Sequence, residues 1–177
     1  MNIIKIPKNI TINSNCIEKK LSLKSHSGEL SINLNDSIFY IKKENHIELR
    51  KFNKTNEQKN DKKDLNLYQA LIQKKIRGIT QGFKTNLYFN GLGFKAQKSG
   101  NTLTLKLGFS HEINVEIPES ISVIIQKPTV LLLSSPDWIK LSQFISQIRK
   151  YKRPEPYKGK GILFKDENIL RKEGKKK

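Results

Sequence analysis

The sequence predicts an α+β protein of two tandem, similar domains, residues 1–81 and 82–153, each an antiparallel β-sheet with one main α-helix, followed by a basic tail over 154–177. Three observations carry that expectation. Apolar residues alternate with polar ones over short runs in both halves, the period-two mark of half-buried strands. Each set of runs is followed by apolar residues at helical spacing. The order strands, helix, strands, helix then argues for a duplication with its junction near Thr80 to Phe83.

In the first third, Leu21 and Leu23, then Leu30, Ile32 and Leu34, then Phe39 and Ile41, then Ile47 and Leu49 alternate with polar neighbours and read as an antiparallel meander. Ser27-Gly28-Glu29 separates two of these runs and Asn35-Asp36 ends the second, both of them turn chemistry. From Phe52 to Asp64 there is almost nothing to bury, which predicts an exposed loop. Tyr68, Leu71, Ile72, Ile76 and Ile79 then recur at helical spacing, with Gly78 or Gly82 as the stop.

The second half repeats the plan. Leu103, Leu105 and Leu107 follow Ser99-Gly100-Asn101 much as the earlier leucines follow the turn at Gly28, and further strands centre on Val115, Val123 and Val130. Ser134-Ser135-Pro136-Asp137 offers an N-cap, a proline suited to the first helical turn and an acid favoured by the helix dipole. Trp138, Leu141, Ile145 and Ile148 give this second helix one apolar face, and Pro154 and Pro156 end it.

Charge narrows the function. The chain has 177 residues with 34 Lys and Arg against 16 Asp and Glu, a formal +18 whose self-repulsion calls for a polyanion. Nucleic acid is the first such partner. A membrane is discounted, because no run approaches the roughly 18 apolar residues of a spanning helix. Cys16 is the only cysteine, which excludes an intrachain disulfide and a cysteine cage for zinc. His26, His46 and His111 lack ligand spacing, so no metal and no other cofactor is expected.

Catalysis is not expected either. Ser110-His111 mimics a nucleophile and base, but neighbours in a strand point to opposite faces. Gly91-Leu92-Gly93-Phe94-Lys95 lacks the third glycine, the following helix and the Lys-Ser or Lys-Thr pair of a phosphate loop. It reads instead as a strand where backbone or RNA approaches closely. Trp138 is expected in the core, and no small-molecule substrate is implied.

The segment 149–177 holds twelve Lys or Arg against four Asp or Glu within 29 residues. Tyr151, Tyr157 and Phe164 interleave with those cations, so bases can stack while phosphates are neutralised. Arg149, Lys150, Lys152, Arg153, Lys158 and Lys160 are the main candidates for phosphate contact, joined by Lys165, Lys172, Lys175 and Lys176. Tyr157 is the candidate stacker, and Gly159 and Gly161 are candidates for close backbone approach to RNA from a tail outside both cores.

The run Tyr151-Lys152-Arg153-Pro154-Glu155-Pro156-Tyr157-Lys158-Gly159-Lys160-Gly161 closely resembles the C-terminal signature of the large-subunit ribosomal protein six family. Gly91-Leu92-Gly93-Phe94-Lys95-Ala96, Leu107-Gly108-Phe109-Ser110-His111, Gly78-Ile79-Thr80-Gln81-Gly82-Phe83 and Gly28-Glu29-Leu30 extend the likeness along essentially the whole chain. The resemblance implies two tandem α+β domains and a non-enzymatic role binding large-subunit rRNA near the sarcin-ricin loop. Neighbouring large-subunit proteins at the stalk base and the landing site of translational GTPases come with it. Three departures stand out: Leu163 replaces a usual Arg, Glu112 a usual Pro, and Asn66-Leu67-Tyr68-Gln69 a Gly-Thr-x-Arg stretch.

Two other classes remain in view. One is a free RNA-binding or RNA-modifying protein, the other a module that binds acidic proteins through the same tail. The Lys, Ile and Asn bias and the lack of a presequence pattern predict a mitochondrial, organelle-encoded ribosomal protein, with a bacterium or plastid of A- and T-rich coding as the alternative.

Overall fold

The computed structural model describes residues 2–7, 9–15, 20–25, 28–35, 37–43, 46–51 and 58–174. The chain divides into two compact units, 1–82 and 83–177. The architecture is the α+β arrangement that the sequence predicts, with two helices and antiparallel strand pairing among the described residues.

In the first unit, β1 (Asn2–Lys5), β5 (Ile38–Lys42) and β6 (His46–Lys51) form a sheet in the order β1-β6-β5. A second sheet, ordered β2-β3-β4, comprises β2 (Thr11–Asn15), β3 (Lys20–Ser25) and β4 (Gly28–Asn33). The single meander expected here is therefore two sheets. Alternation locates strands but says nothing of which pair with which, and the short polar-flanked β1 and β2 escaped it. Leu21, Leu23, Ile32, Ile47 and Leu49 turn into one core, as the alternation requires. In β5 the inward side is the other one: Ile38 is buried and Tyr40 packs on the core, while Phe39 is exposed.

Helix α1 (Gln58–Gln81) covers that core with Ile72, Ile76 and Ile79. It begins well inside the stretch read as a loop, since the Gln, Lys, Asn and Asp of 58–64 leave no hydrophobic trace for the helical period to show. Residues 52–57 of that stretch lie outside those described. The helix ends at Gly82, whose φ of 69° takes the left-handed conformation and whose N–H donates to the Gly78 carbonyl at 2.9 Å.

The second unit repeats this plan strand for strand. β7 (Phe83–Asn90), β8 (Lys95–Ser99), β9 (Thr102–Lys106), β10 (Ile113–Glu116), β11 (Ser122–Lys127) and β12 (Val130–Ser135) precede α2 (Trp138–Tyr151). The sheet β10-β9-β8 matches β4-β3-β2, and β11-β12-β7 matches β5-β6-β1. Leu103, Leu105, Leu131 and Leu133, fully buried, meet Leu141, Phe144, Ile145 and Ile148 of α2 in the core. Burial of each such leucine stabilises by about 1.5–3 kcal/mol.

Asp137, expected within the first turn, is the N-cap itself: its carboxylate accepts from the Ile139 N–H at 3.0 Å. Ser135 links the cap to the sheet by donating to the Ser120 carbonyl at 2.8 Å and accepting from the Asp137 N–H at 3.1 Å. Trp138 is not core. It is 37% exposed and meets Phe83 edge-on at the start of the helix.

One strand has no counterpart among the described residues of the first unit. β13 (Gly161–Phe164) adds to the far side of β7, with Ile162 opposite Phe89 and Phe164 opposite Leu87. Ile162 is fully buried in the core. The expectation of a tail lying outside both cores is thus corrected: four residues among many cations are too short a run to register as a strand, yet Ile162-Leu163-Phe164 is the most apolar stretch after α2.

Candidate nucleic-acid interface

The segment that follows α2 is a folded loop, strand and strap. Lys152 ends the helix, and its carbonyl accepts from the Ile162 N–H at 3.0 Å, closing the nine residues between. Inside that loop the Glu155 N–H donates to the Lys160 carbonyl at 2.8 Å and the Gly159 N–H to the Glu155 carbonyl at 3.0 Å. Asn90 of β7 donates its side-chain amide to the Gly159 carbonyl at 3.0 Å. The strap beyond β13 returns underneath, where the Lys172 N–H reaches the Pro156 carbonyl at 2.9 Å. With the backbone so committed, Pro154 and Pro156 cost no donor the loop needs.

This geometry sorts the candidate residues. Lys150, Arg153, Lys158, Lys160, Lys165 and Lys172 are exposed, as is Tyr157 at 53%. They remain available to phosphates and bases. Lys152 is half-buried, with its ammonium 4.9 Å from the centre of the Phe109 ring. Lys175 and Lys176 lie outside the described residues.

Arg149 is engaged within the protein. Its Nη2 donates to both carboxylate oxygens of Glu167 at 2.5 and 2.8 Å, its Nε reaches the Ile162 carbonyl at 3.4 Å, and the guanidinium lies 4.3 Å over the Phe164 ring. Glu167 in turn accepts from the Phe164 N–H at 3.0 Å. Arg149 therefore ties α2 to β13, the planar fork suiting a carboxylate as well as it suits a phosphate.

Gly159 and Gly161 are buried, which corrects their reading as surfaces laid against RNA. A Cβ on Gly161 would stand 2.7 Å from Pro154 Cα and 2.8 Å from the Arg153 carbonyl oxygen, at a φ of 146°. The close approach that glycine permits here is between two stretches of this chain. Gly159 has a φ of 69°, with the Arg171 guanidinium 3.4 Å from the place of a Cβ.

A second group lies at the end of the β8-β9 hairpin, where the strand expected over Gly91 to Lys95 is a turn at 91–94 that leads from β7 into β8. Gly91 and Gly108 both close on Phe94, the places of their Cβ atoms 2.8 and 3.2 Å from its ring. Phe94 is buried and draws two separate loops together, leaving Leu92 95% exposed and Phe109 44% exposed. Lys95 and Lys106 are directly opposed in the β8-β9 register. Like charges so placed repel, and Lys106 finds Glu112 at 2.6 Å. The glycine motif signalled a close approach in the sequence, but neither the register nor the shared Phe94 contact can be read from one strand.

In the first unit, Glu48 of β6 is buried and takes Lys43 at 2.6 Å, Arg50 at 3.3 Å and His46 at 3.5 Å. The hydrogen bond from Lys43 holds its carboxyl below the ordinary 4.5, against the opposing effect of burial. Among the described residues no group of three or more His, Cys, Asp or Glu is placed to hold a metal ion, and no helix is long and apolar enough to cross a membrane.

Residues 90–165 match the family model described as Ribosomal protein L6. The chain is 38% identical over 174 residues to large ribosomal subunit protein uL6 of Zymomonas mobilis, covering 98% of this chain and 96% of that one. The protein of the same name from Mycoplasmoides gallisepticum is also 38% identical, over 98% of this chain and 93% of its own. That of Sinorhizobium medicae is 34% identical over 98% and 96%.

Proposed function

This chain belongs to the family of large ribosomal subunit protein uL6, whose members are structural rather than enzymatic, and from that premise we propose that it binds large-subunit rRNA near the sarcin-ricin loop through the folded segment 150–172. Family membership makes the chain a constituent of the large ribosomal subunit, associated with its rRNA. The mitochondrial origin expected from composition finds no support in these relatives, which are bacterial.

The observation that carries the RNA surface is the rigid presentation of cations. Arg153, Lys158 and Lys160 project from a loop whose backbone is hydrogen-bonded at both ends and from beneath, with Lys150, Lys165 and Lys172 around it. Ordering is achieved by the fold, so less conformational entropy is lost when phosphates arrive. The stalk base and its neighbouring proteins are the surroundings that go with this address.

The test is a titration of the full chain with an rRNA fragment carrying the sarcin-ricin loop. If these six exposed cations meet phosphates, log affinity falls against log salt with a slope of roughly −4 to −5. Replacing Lys158 and Lys160 by Ala lowers the slope magnitude by about 1.5. A slope near zero removes the reading, and a chain that cosediments with acidic proteins after nuclease treatment replaces it with the protein-binding alternative.

A further inference from the structure

Beside the phosphate-binding segment, the two loops joined on Phe94 carry a feature that charge neutralisation does not use. Phe109 lies on the bend after β9, half out of the core, where an exposed aromatic ring contributes little to folding. His111 faces it, the two rings 6.4 Å apart between centres and inclined by 26°. The Lys152 ammonium lies 4.9 Å from the Phe109 centre, and so couples this ring to the first residue of the basic loop.

We propose that Phe109 is a stacking platform for one unpaired nucleobase of the bound RNA, with His111 as the opposing face and Lys152 turning to the adjacent phosphate. The proposal rests on the RNA-binding reading above and adds a base-contacting site to it. Three physical features favour a nucleotide over an apolar protein partner. The ring separation is close to twice the ~3.4 Å repeat of stacked bases, so a base enters with a small rotation of the exposed His111. The ring's neighbours are a cation and a planar polar ring, a setting that favours a π-face joined to an anion. Exposed Lys95 at the same hairpin end supplies positive charge to an adjacent phosphate, its cross-strand neighbour Lys106 being paired with Glu112.

The glycines fit this role. Gly108, at a φ of 75°, allows the chain to turn outward directly after buried Leu107, so Phe109 is thrown to the surface instead of following the alternation inward. Leu92 at the neighbouring tip offers an apolar rim against which a ribose can rest. Because each contact is to a π-face and none to a base edge, the platform is tolerant of base identity.

The test compares binding of the full chain to a short single-stranded oligouridylate and to an abasic ribose-phosphate of the same length and charge. Wild type prefers the oligomer with bases by about tenfold. Phe109→Ala abolishes the preference while leaving the salt slope and the melting temperature unchanged, and Phe109→Trp keeps it. Lys158→Ala with Lys160→Ala does the reverse, lowering the slope and keeping the preference. Equal binding of both oligomers by wild type, or a preference that survives Phe109→Ala, overturns the platform and leaves the phosphate surface standing. A large fall in melting temperature for Phe109→Ala assigns the ring to the fold and overturns it as well. Binding that ignores salt altogether removes the RNA-binding reading, and the platform with it.

Discussion

At Gly161 the backbone of Arg153 and Pro154 occupies the place a Cβ would take, and no rotamer change can move it aside. Gly161→Ala therefore strains the junction of loop and strand. We expect a loss of about 2–3 kcal/mol and a melting temperature lower by roughly 10 °C or more, whereas Gly159→Ala, with only its φ to oppose it, costs about 1 kcal/mol. Thermal unfolding followed by circular dichroism checks both, and unchanged melting for Gly161→Ala would return that glycine to the RNA surface. Glu48 gives a prediction of the opposite kind. Its carboxyl is held below 4.5 in the folded protein, so its contribution is present above that value and is lost as pH falls through the lower, folded one. Below pH 4.5 the first unit should destabilise progressively, and Glu48→Gln should be less stable at neutral pH yet show a flatter acid limb. An acid limb identical to wild type would sink this assignment. The sequence showed Glu48 only as one polar position between Ile47 and Leu49; that Lys43, Arg50 and the His46 ring converge on it is a matter of backbone geometry.

Among the elements, the tie between α2 and β13 depends on Arg149 and Glu167, which lie eighteen residues apart and are both mostly sheltered from water. Arg149→Ala removes the fork and leaves the Glu167 carboxylate with the Phe164 N–H alone. We expect a loss of about 1–2 kcal/mol, with faster amide exchange along β13 and the strap but not along β9. Uniform exchange rates in wild type and variant would show that the fork is idle. Helices and the longer alternating strands were legible in sequence because each buries one face against a single layer: Leu103, Leu105, Leu141, Ile145 and Ile148 all point where their spacing puts them. β7 and β13 were not. β7 carries polar residues between its buried ones and was masked by the basic, glycine-rich motifs around it, while β13 is four residues long. The exposed cations of the interface were equally visible as charge, but the roles of Arg149, Gly159 and Gly161 depend on partners distant in sequence. Composition cannot divide a row of cations into those that face solvent and those that hold the chain together.

For the molecule as a whole, the repeated topology predicts that each unit stands on its own core, and residues 83–177 alone should give a folded protein with dispersed NMR shifts. Ending the same piece at Lys160 removes buried Ile162 and with it about 2–5 kcal/mol, the range for large core truncations. If that shorter piece is as stable as the longer one, the sheet does not need its added strand. The pairing of β13 with β7 also governs the order of events in folding. Leu87 and Phe164 are opposed across almost the full length of the second unit, so the last pairing to close is the one with the longest loop, whereas β3-β4, β5-β6 and β8-β9 are local hairpins. Until it closes, β7 is an uncovered strand rim carrying Leu87 and Phe89, available to any other unfinished chain. The dense positive charge around β13 then has a second use during synthesis: copies that repel one another collide less often while that rim is bare.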